Sequence, residues 1–262
     1  MNQLVEKIVG GLTELTRDRP MFVHFDSIGI LYLGGKNLDR LKCFDTILNT
    51  VAERGGNLII PAFSYSFCNK RVFKLEGSPT TLGEPHEFLR KRNLGKRTSD
   101  GIFSYLVFGK HSVFTPYFEK RKVQDCFGPG SLIESILELD GMIGSIGGCI
   151  HKTTEIHHVE KKIGVPYRFD KEFTGEVIHS KGEHYRQTAI FFCRDLEFSK
   201  KFSLTTDLRR MYADMQSEKK IIELNILGDF LVEHVSFQQV YEHASTRVSR
   251  EPHYLLGKGS IF

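Results

Sequence analysis

Two apolar runs, residues 21–26 and 57–63, constrain the fold more than any other feature of the chain. Between them Gly34-Gly35 marks a turn, Asn37 is placed to cap a helix over about 38–54, and Gly55-Gly56 stops that helix. Strand, helix and strand, joined by about thirty residues, predict a right-handed βαβ unit with parallel strands. The second run, NLIIPAF, is apolar throughout, as a strand buried on both faces must be. Ahead of the unit, Leu4, Ile8 and Leu12 recur with helical spacing, with Val5 and Leu15 near the same stripe, and predict an opening amphipathic helix ended by Pro20. Apolar runs predict further strands at 102–108, 142–146, 188–193 and 221–226, and periodic segments predict helices at 131–139, 154–162, 206–215 and 236–244. Residues 164–183, rich in glycine, charge and aromatics, read as a loop or hairpin. The expected architecture is α/β: one three-layer α/β/α domain over residues 1–262 with a mainly parallel central sheet. Such sheets bind ligands beyond the carboxyl ends of their strands.

Composition narrows the function. The net charge of +4 on 262 residues is too small and too dispersed for a nucleic-acid partner, yet it suits an anionic small molecule such as a CoA or a nucleotide-sugar. The five cysteines are scattered without a CxxC pair, which points to reduced thiols in the cytoplasm rather than to a disulfide framework or a zinc ribbon. The first residues mix charges among their apolar positions and lack a signal-peptide pattern, and no apolar run has the length of a membrane span. A homodimer is an allowed assembly.

Chemistry concentrates after the predicted strand at 142–146. In GGCIHKTTEIHHVE (147–160), Thr153 or Thr154 can cap a helix on which Thr154, His157 and Glu160 share one face while Ile156, Val159 and Ile163 share another. An imidazole titrating near neutrality can take a proton from an amine, and Glu160 can hold the ring or favour its protonated form. The same spacing also describes two surface histidines on a capped helix. A zinc site from His151, His157 and His158 is the third option, although adjacent histidines diverge by about 100° on a helix and no HExxH is present. In VHFDSIGILYLGG (23–35), small residues after a strand can cradle a phosphate, though neither GxGxxG nor GxxxxGK[ST] occurs. In RTSDGIFSYLVFG (97–109), Asp100 can pair with a cationic amine and Ser104 can donate to an oxyanion. In PAFSYSF (61–67), Ser64 and Ser66 alternate with aromatic rings and would face the opposite side of an extended segment. A serine hydrolase would need a GxSxG elbow, which is missing.

Taken in order, VHFDSIG (23–29), GGNLIIPAFSYSF (55–67), SPTTLGE (78–84), RTSDGIFSYLVFGK (97–110), DCFGPGSLIESILELDGMIGSIG (125–147), TTEIHHVE (153–160) and GVPYRFDKEFTGEV (164–177) resemble the aminoglycoside 3-N-acetyltransferase family, in the branch found among surface-polysaccharide enzymes. The resemblance implies an acyl-CoA-dependent N-acyltransferase that binds acetyl-CoA, or another acyl-CoA, together with an amine and uses no metal. Its Thr-x-x-His-x-x-Glu stretch maps onto Thr154, His157 and Glu160, with His157 as the base. The family's His-Ser-Ser contact to CoA falls on His24, Phe25, Asp26 and Ser27, so one or both hydroxyls are lost or displaced. Ser64 is a further candidate for the cofactor side. The His-Pro-Thr-His-Ser stretch becomes Asp100, Gly101, Ile102, Phe103 and Ser104, a departure that argues for an amino sugar over an aminoglycoside, and Pro-Thr-Phe becomes Pro61, Ala62 and Phe63. The expected catalytic set is therefore His157, Glu160, Thr154 and Ser104. Asp100, Tyr65, Tyr167 and Arg168, with Lys171, are the candidates for the sugar and its phosphates. A scaffold that keeps the fold without turnover is the alternative from another class.

Overall fold

The computed structural model describes residues 3–25, 27–31, 33, 37–179, 182–227 and 230–258. Helix α1 (Gln3–Thr16) buries Ile8, Leu12 and Val5 of the expected stripe together with Val9, while Leu4 and Leu15 are partly buried at its edges. It leads into β1 (Met21–Phe25), α2 (Ser27–Leu31), α3 (Asn37–Glu53) and β2 (Leu58–Pro61). Strands β1 and β2 pair in parallel, Met21 opposite Leu58, which is the βαβ arrangement read from the sequence. Then follow β3 (Phe73–Lys74), α4 (Glu84–Arg92), β4 (Lys96–Arg97), β5 (Tyr105–Phe108), β6 (Val123–Asp125), α5 (Leu132–Glu138) and β7 (Met142–Ile146). The remaining elements are α6 (Ile156–Ile163), β8 (Arg168–Ile178), β9 (His184–Arg194), α7 (Leu196–Phe202), β10 (Leu204–Thr206), α8 (Arg209–Ser217), β11 (Ile222–Leu227), β12 (Phe230–Ser236), α9 (Phe237–Arg250) and β13 (Leu256–Lys258).

Seven strands form the main sheet in the order β11-β12-β7-β1-β2-β5-β4. Its parallel character lies at the centre, where β7, β1 and β2 run together; β12, β11, β5 and β4 join antiparallel at the flanks. Successive side chains of each central strand point to opposite faces. Met21, Val23, Leu58, Ile60 and Leu106 meet the apolar stripes of α1 and α3, such as Leu12, Phe44 and Leu48. Phe22, Ile59, Tyr105, Val107 and Ile143 meet a second core built from α5, α6, α8 and α9. That second core also takes in a four-stranded sheet, β3-β8-β9-β6.

Two expectations change here. The segment 188–193 is part of β9, and it pairs with β8 in the smaller sheet, so residues 164–183 supply one arm of a long hairpin. The strand expected over 102–108 is only β5, because the Asp100 carboxylate takes the Ile102 and Phe103 N–H groups, 2.8 Å each, and bends the chain before Ser104.

Helix α2 lies against the carboxyl end of β7 at Gly29. A Cβ there would stand 2.4 Å from the Ile146 carbonyl oxygen, with backbone on both sides of the contact. Gly29→Ala should cost about 1–3 kcal/mol through overpacking. Gly10→Ala, which meets open space on the exposed side of α1, should instead stabilise by about 0.5–1 kcal/mol through helix propensity. Thermal denaturation of both variants checks the pair; equal melting temperatures would contradict the close approach.

Candidate active site

The chain leaves β7 through Gly147 and Gly148, both at positive φ (88° and 74°), and this turns the next residues across the sheet end. A 3-10 turn (Ile150–Lys152) follows, then α6. The expected threonine cap does not form. Helix α6 begins at Ile156, and the Thr153 hydroxyl donates instead to the carboxylate of Glu155. Thr154 contributes its carbonyl oxygen, which accepts the His157 N–H at 3.1 Å. Ile156 and Val159 are fully buried, so the apolar face of the helix holds its polar face at the cleft.

On that polar face His157 Nδ1 lies 2.6 Å from Glu160 Oε2. Arg168, at the start of β8, places Nε 2.8 Å from the same carboxylate oxygen and Nη2 3.4 Å from His157 Nε2. An arginine can only donate. The ring therefore presents a lone pair at Nε2 while its Nδ1–H donates to Glu160. Burial first and the Arg168 charge second press the His157 pKa below its ordinary value, outweighing Glu160. Burial would raise the pKa of Glu160, which has no exposed surface, but His157 and Arg168 hold it below the usual carboxylate range. Because Arg168 supplies a permanent charge, Glu160 stays ionised when the imidazole is neutral. The His157 side chain keeps 17% of its surface exposed, so the base is reachable.

That surface opens on a cleft of about 730 Å³ whose lining includes Lys152, Thr154, His157 and Arg168. Thr154 and Lys152 also line a narrower cavity of about 140 Å³, between His24, Phe25, Phe63, Leu82 and His86. His24 Nε2 is 2.6 Å from Glu155 Oε2, and Tyr105 donates to the other oxygen at 3.2 Å. Glu155 is fully buried, and its contacts with His24 and the Thr153 hydroxyl overcome burial to hold its pKa down. Phe25 stacks on His86 with centroids 4.2 Å apart. Neither Glu155 nor His86 stood out in the sequence: one looks like an acid at a helix start, the other belongs to no motif.

Burial, then His24, lowers the His86 pKa from 6.5 to about 4. A ring that resists protonation only when folded contributes fully above its unfolded pKa. This contribution fades as pH falls from 6.5 toward 4, about 3 kcal/mol in all. His86→Phe should flatten the acid side of the stability profile, as melting at pH 7 and pH 4.5 will show; an unchanged slope would contradict this origin.

Other expected site residues are placed elsewhere. Ser104 is fully buried, accepting from Arg97 Nε at 3.0 Å and donating to the Ala62 carbonyl at 2.8 Å, so its hydroxyl links two strands and faces no oxyanion. Ser64 donates to the Gly101 carbonyl at 3.3 Å and accepts from Ser66 at 3.0 Å. Tyr65 adopts φ 50°, which breaks the expected alternation, and its ring packs edge-on to Phe103 at 5.2 Å. Asp100 is buried and spends Oδ1 on its own turn, and burial pushes its pKa up. Tyr167 is 2% exposed, and burial, then Glu160, raises its hydroxyl pKa; it backs the carboxylate and does not stack on a sugar. Arg168 turns inward to Glu160, and exposed Lys171 lies over Phe173. Asp26 and the side chain of Ser27 fall outside the described residues. The histidines expected as a zinc option diverge, since His158 Nδ1 donates to the Phe127 carbonyl at 2.8 Å. Among the described residues no three metal-type ligands converge.

The family model for aminoglycoside 3-N-acetyltransferase matches residues 27–248. Aminoglycoside acetyltransferase AAC(3)-Xa has the same fold, with a TM-score of 0.70 at 17% identity over 96% of this chain and 93% of that one. AAC-IIIb, solved with CoASH, gives 0.66 at 16% identity over 98% and 97%. YokD from Bacillus subtilis gives 0.66 at 15% identity over 94% and 93%. No curated relative matches at the level of sequence. With most of its length matched by the family model and its fold shared with these structures, the chain belongs to the aminoglycoside 3-N-acetyltransferase family.

Proposed function

We propose that this protein moves an acetyl or other short acyl group from acyl-CoA to a primary amine on a sugar, with His157 as the general base. In this reading one domain over residues 1–262 carries the reaction, and the amine belongs to a nucleotide-linked amino sugar of surface-polysaccharide biosynthesis. The observation that carries the chemistry is the imidazole of His157 in the lining of the cleft, with Nδ1 fixed on Glu160 and Nε2 in a long contact, 3.4 Å, with Arg168. Family membership and the CoASH bound by AAC-IIIb support the donor. The narrow cavity beside His24 suits the thioester end, and Thr154 and Lys152 join it to the cleft where the amine meets the base.

At neutral pH the amine arrives largely as an ammonium and must lose a proton before it can attack. Nε2 takes its proton in place of its 3.4 Å contact with Arg168, and Glu160 stays on Nδ1–H as the ring becomes an imidazolium. The freed nitrogen attacks the thioester carbonyl, the C–S bond breaks with its electron pair on the sulfur of CoA, and the second proton that the nitrogen sheds in becoming an amide goes to that sulfur to give the thiol. Alignment of donor and acceptor supplies much of the remaining acceleration. The free cysteines and the CoA donor support a cytoplasmic setting, and among the described residues no helix is long and apolar enough to cross a membrane.

The family's own description favours a second acceptor, an aminoglycoside. Thiol release from acetyl-CoA with a panel of nucleotide-linked amino sugars and aminoglycosides separates the two. The expected result is turnover with the nucleotide-linked amines. Binding of acyl-CoA and amines without thiol release from any pair would instead identify a scaffold.

A further inference from the structure

The cleft beside His157 is strongly cationic. Lys152, Arg168, Arg194, Arg209 and Lys258 line it, and Asp207 is the one carboxylate among its lining residues. Two of these cations are already matched, Arg168 by Glu160 at 2.8 Å and Arg209 by Asp207 at 2.9 Å. Arg194 and Lys258 have no acidic partner among the described residues. Arg194, the last residue of β9, donates Nη1 to Thr205 Oγ1 at 2.7 Å, which fixes its guanidinium against β10. Lys258 stands opposite Leu204 in the β10–β13 ladder and lines the same cleft. The wall built by these strands thus brings two uncompensated cations into the cleft that contains the base.

We infer that Arg194 and Lys258 form a phosphate-binding subsite, and that the acceptor amine is carried on a phosphate-bearing sugar. The inference rests on the reading of this cleft as the acceptor side of His157. A guanidinium held by a neutral hydroxyl keeps N–H donors for two phosphate oxygens, and the lysine adds a point charge. The same wall repels a polycation, so an aminoglycoside is a poor acceptor here. The diphosphate of CoA has the same chemistry as that of a nucleotide-sugar, and the two sources must be told apart.

The test has a binding arm and a kinetic arm, on wild type, Arg194→Gln, Lys258→Gln and the double variant. Thermal shift with UDP and with pyrophosphate reads the subsite without catalysis. Both ligands should stabilise wild type, and the double variant should lose most of that shift; equal shifts in both proteins overturn the subsite. In kinetics, the double variant should raise KM for a nucleotide-linked amino sugar at least about tenfold while KM for acetyl-CoA stays within about twofold. A rise in KM for acetyl-CoA alone assigns the phosphate to the donor and overturns the acceptor inference. If no amine is acylated but the UDP shift still depends on Arg194 and Lys258, the subsite stands and the acyltransferase reading falls. Lys258→Gln alone, on an exposed side chain, guards against a folding defect in the double variant.

Discussion

Replacing His157 by alanine should leave a folded protein that binds acyl-CoA normally and turns over at least about a hundredfold more slowly, the lower end of what a positioned base contributes. The ring's partners remain satisfied without it, since Arg168 still neutralises Glu160 at 2.8 Å. His157→Gln separates position from chemistry: an amide can still donate to Glu160 but cannot take the proton, so its kcat should match that of alanine. The pH profile gives the sign. Burial and Arg168 place the His157 pKa below 6.5, so the competent neutral form dominates from neutrality upward. The wild-type rate should fall only as pH drops through that depressed value, and the limb should vanish in both variants. A loss smaller than about tenfold would remove His157 from the role of base.

The second large effect is expected at Glu160. Its carboxylate is fully buried between His157 Nδ1 at 2.6 Å and Arg168 Nε at 2.8 Å. Glu160→Gln keeps the shape but leaves Arg168 charged and without its counter-ion, a change that costs about 3–5 kcal/mol in buried pairs. It also frees the imidazole to turn, so kcat falls along with stability. Removing Arg168 as well, in Glu160→Gln/Arg168→Met, should recover part of the lost stability, because the orphaned charge is gone. The sign of the linkage follows from the depressed carboxyl: its contribution is complete above the unfolded value of 4.5 and is lost as pH falls through the lower folded one. Urea unfolding at pH 7 and pH 4 measures both effects. A destabilisation under about 1 kcal/mol at pH 7 would mean that the pair is solvated like a surface bridge.

Much of the central scaffold was legible because it is local. The stripe of α1, the glycine-bounded βαβ unit and the strand at 142–146 all follow from periodicity over a few residues. The i, i+3 contact of His157 with Glu160 is also local, and helix geometry alone anticipates it. What escaped was non-local. In sequence Arg168 is a candidate for the sugar's phosphates in a loop or hairpin, and only the docking of β8 against α6 turns it toward Glu160. Ser64 and Ser104 look like cleft hydroxyls in sequence, yet each is consumed by backbone groups on neighbouring segments. The antiparallel flanks were hidden for a related reason, since a strand's apolar pattern does not reveal its partner's direction.

Glu155 and His157 are two positions apart, one holding the ring of His24 and the other the proposed base. Donor scope and proton transfer are thus mechanically yoked: a backbone shift at 153–157 that admitted a bulkier thioester would carry the base with it. Variation in acyl length is better sought on the opposite side of the narrow cavity, at Leu82 and His86, where enlargement leaves the yoke untouched.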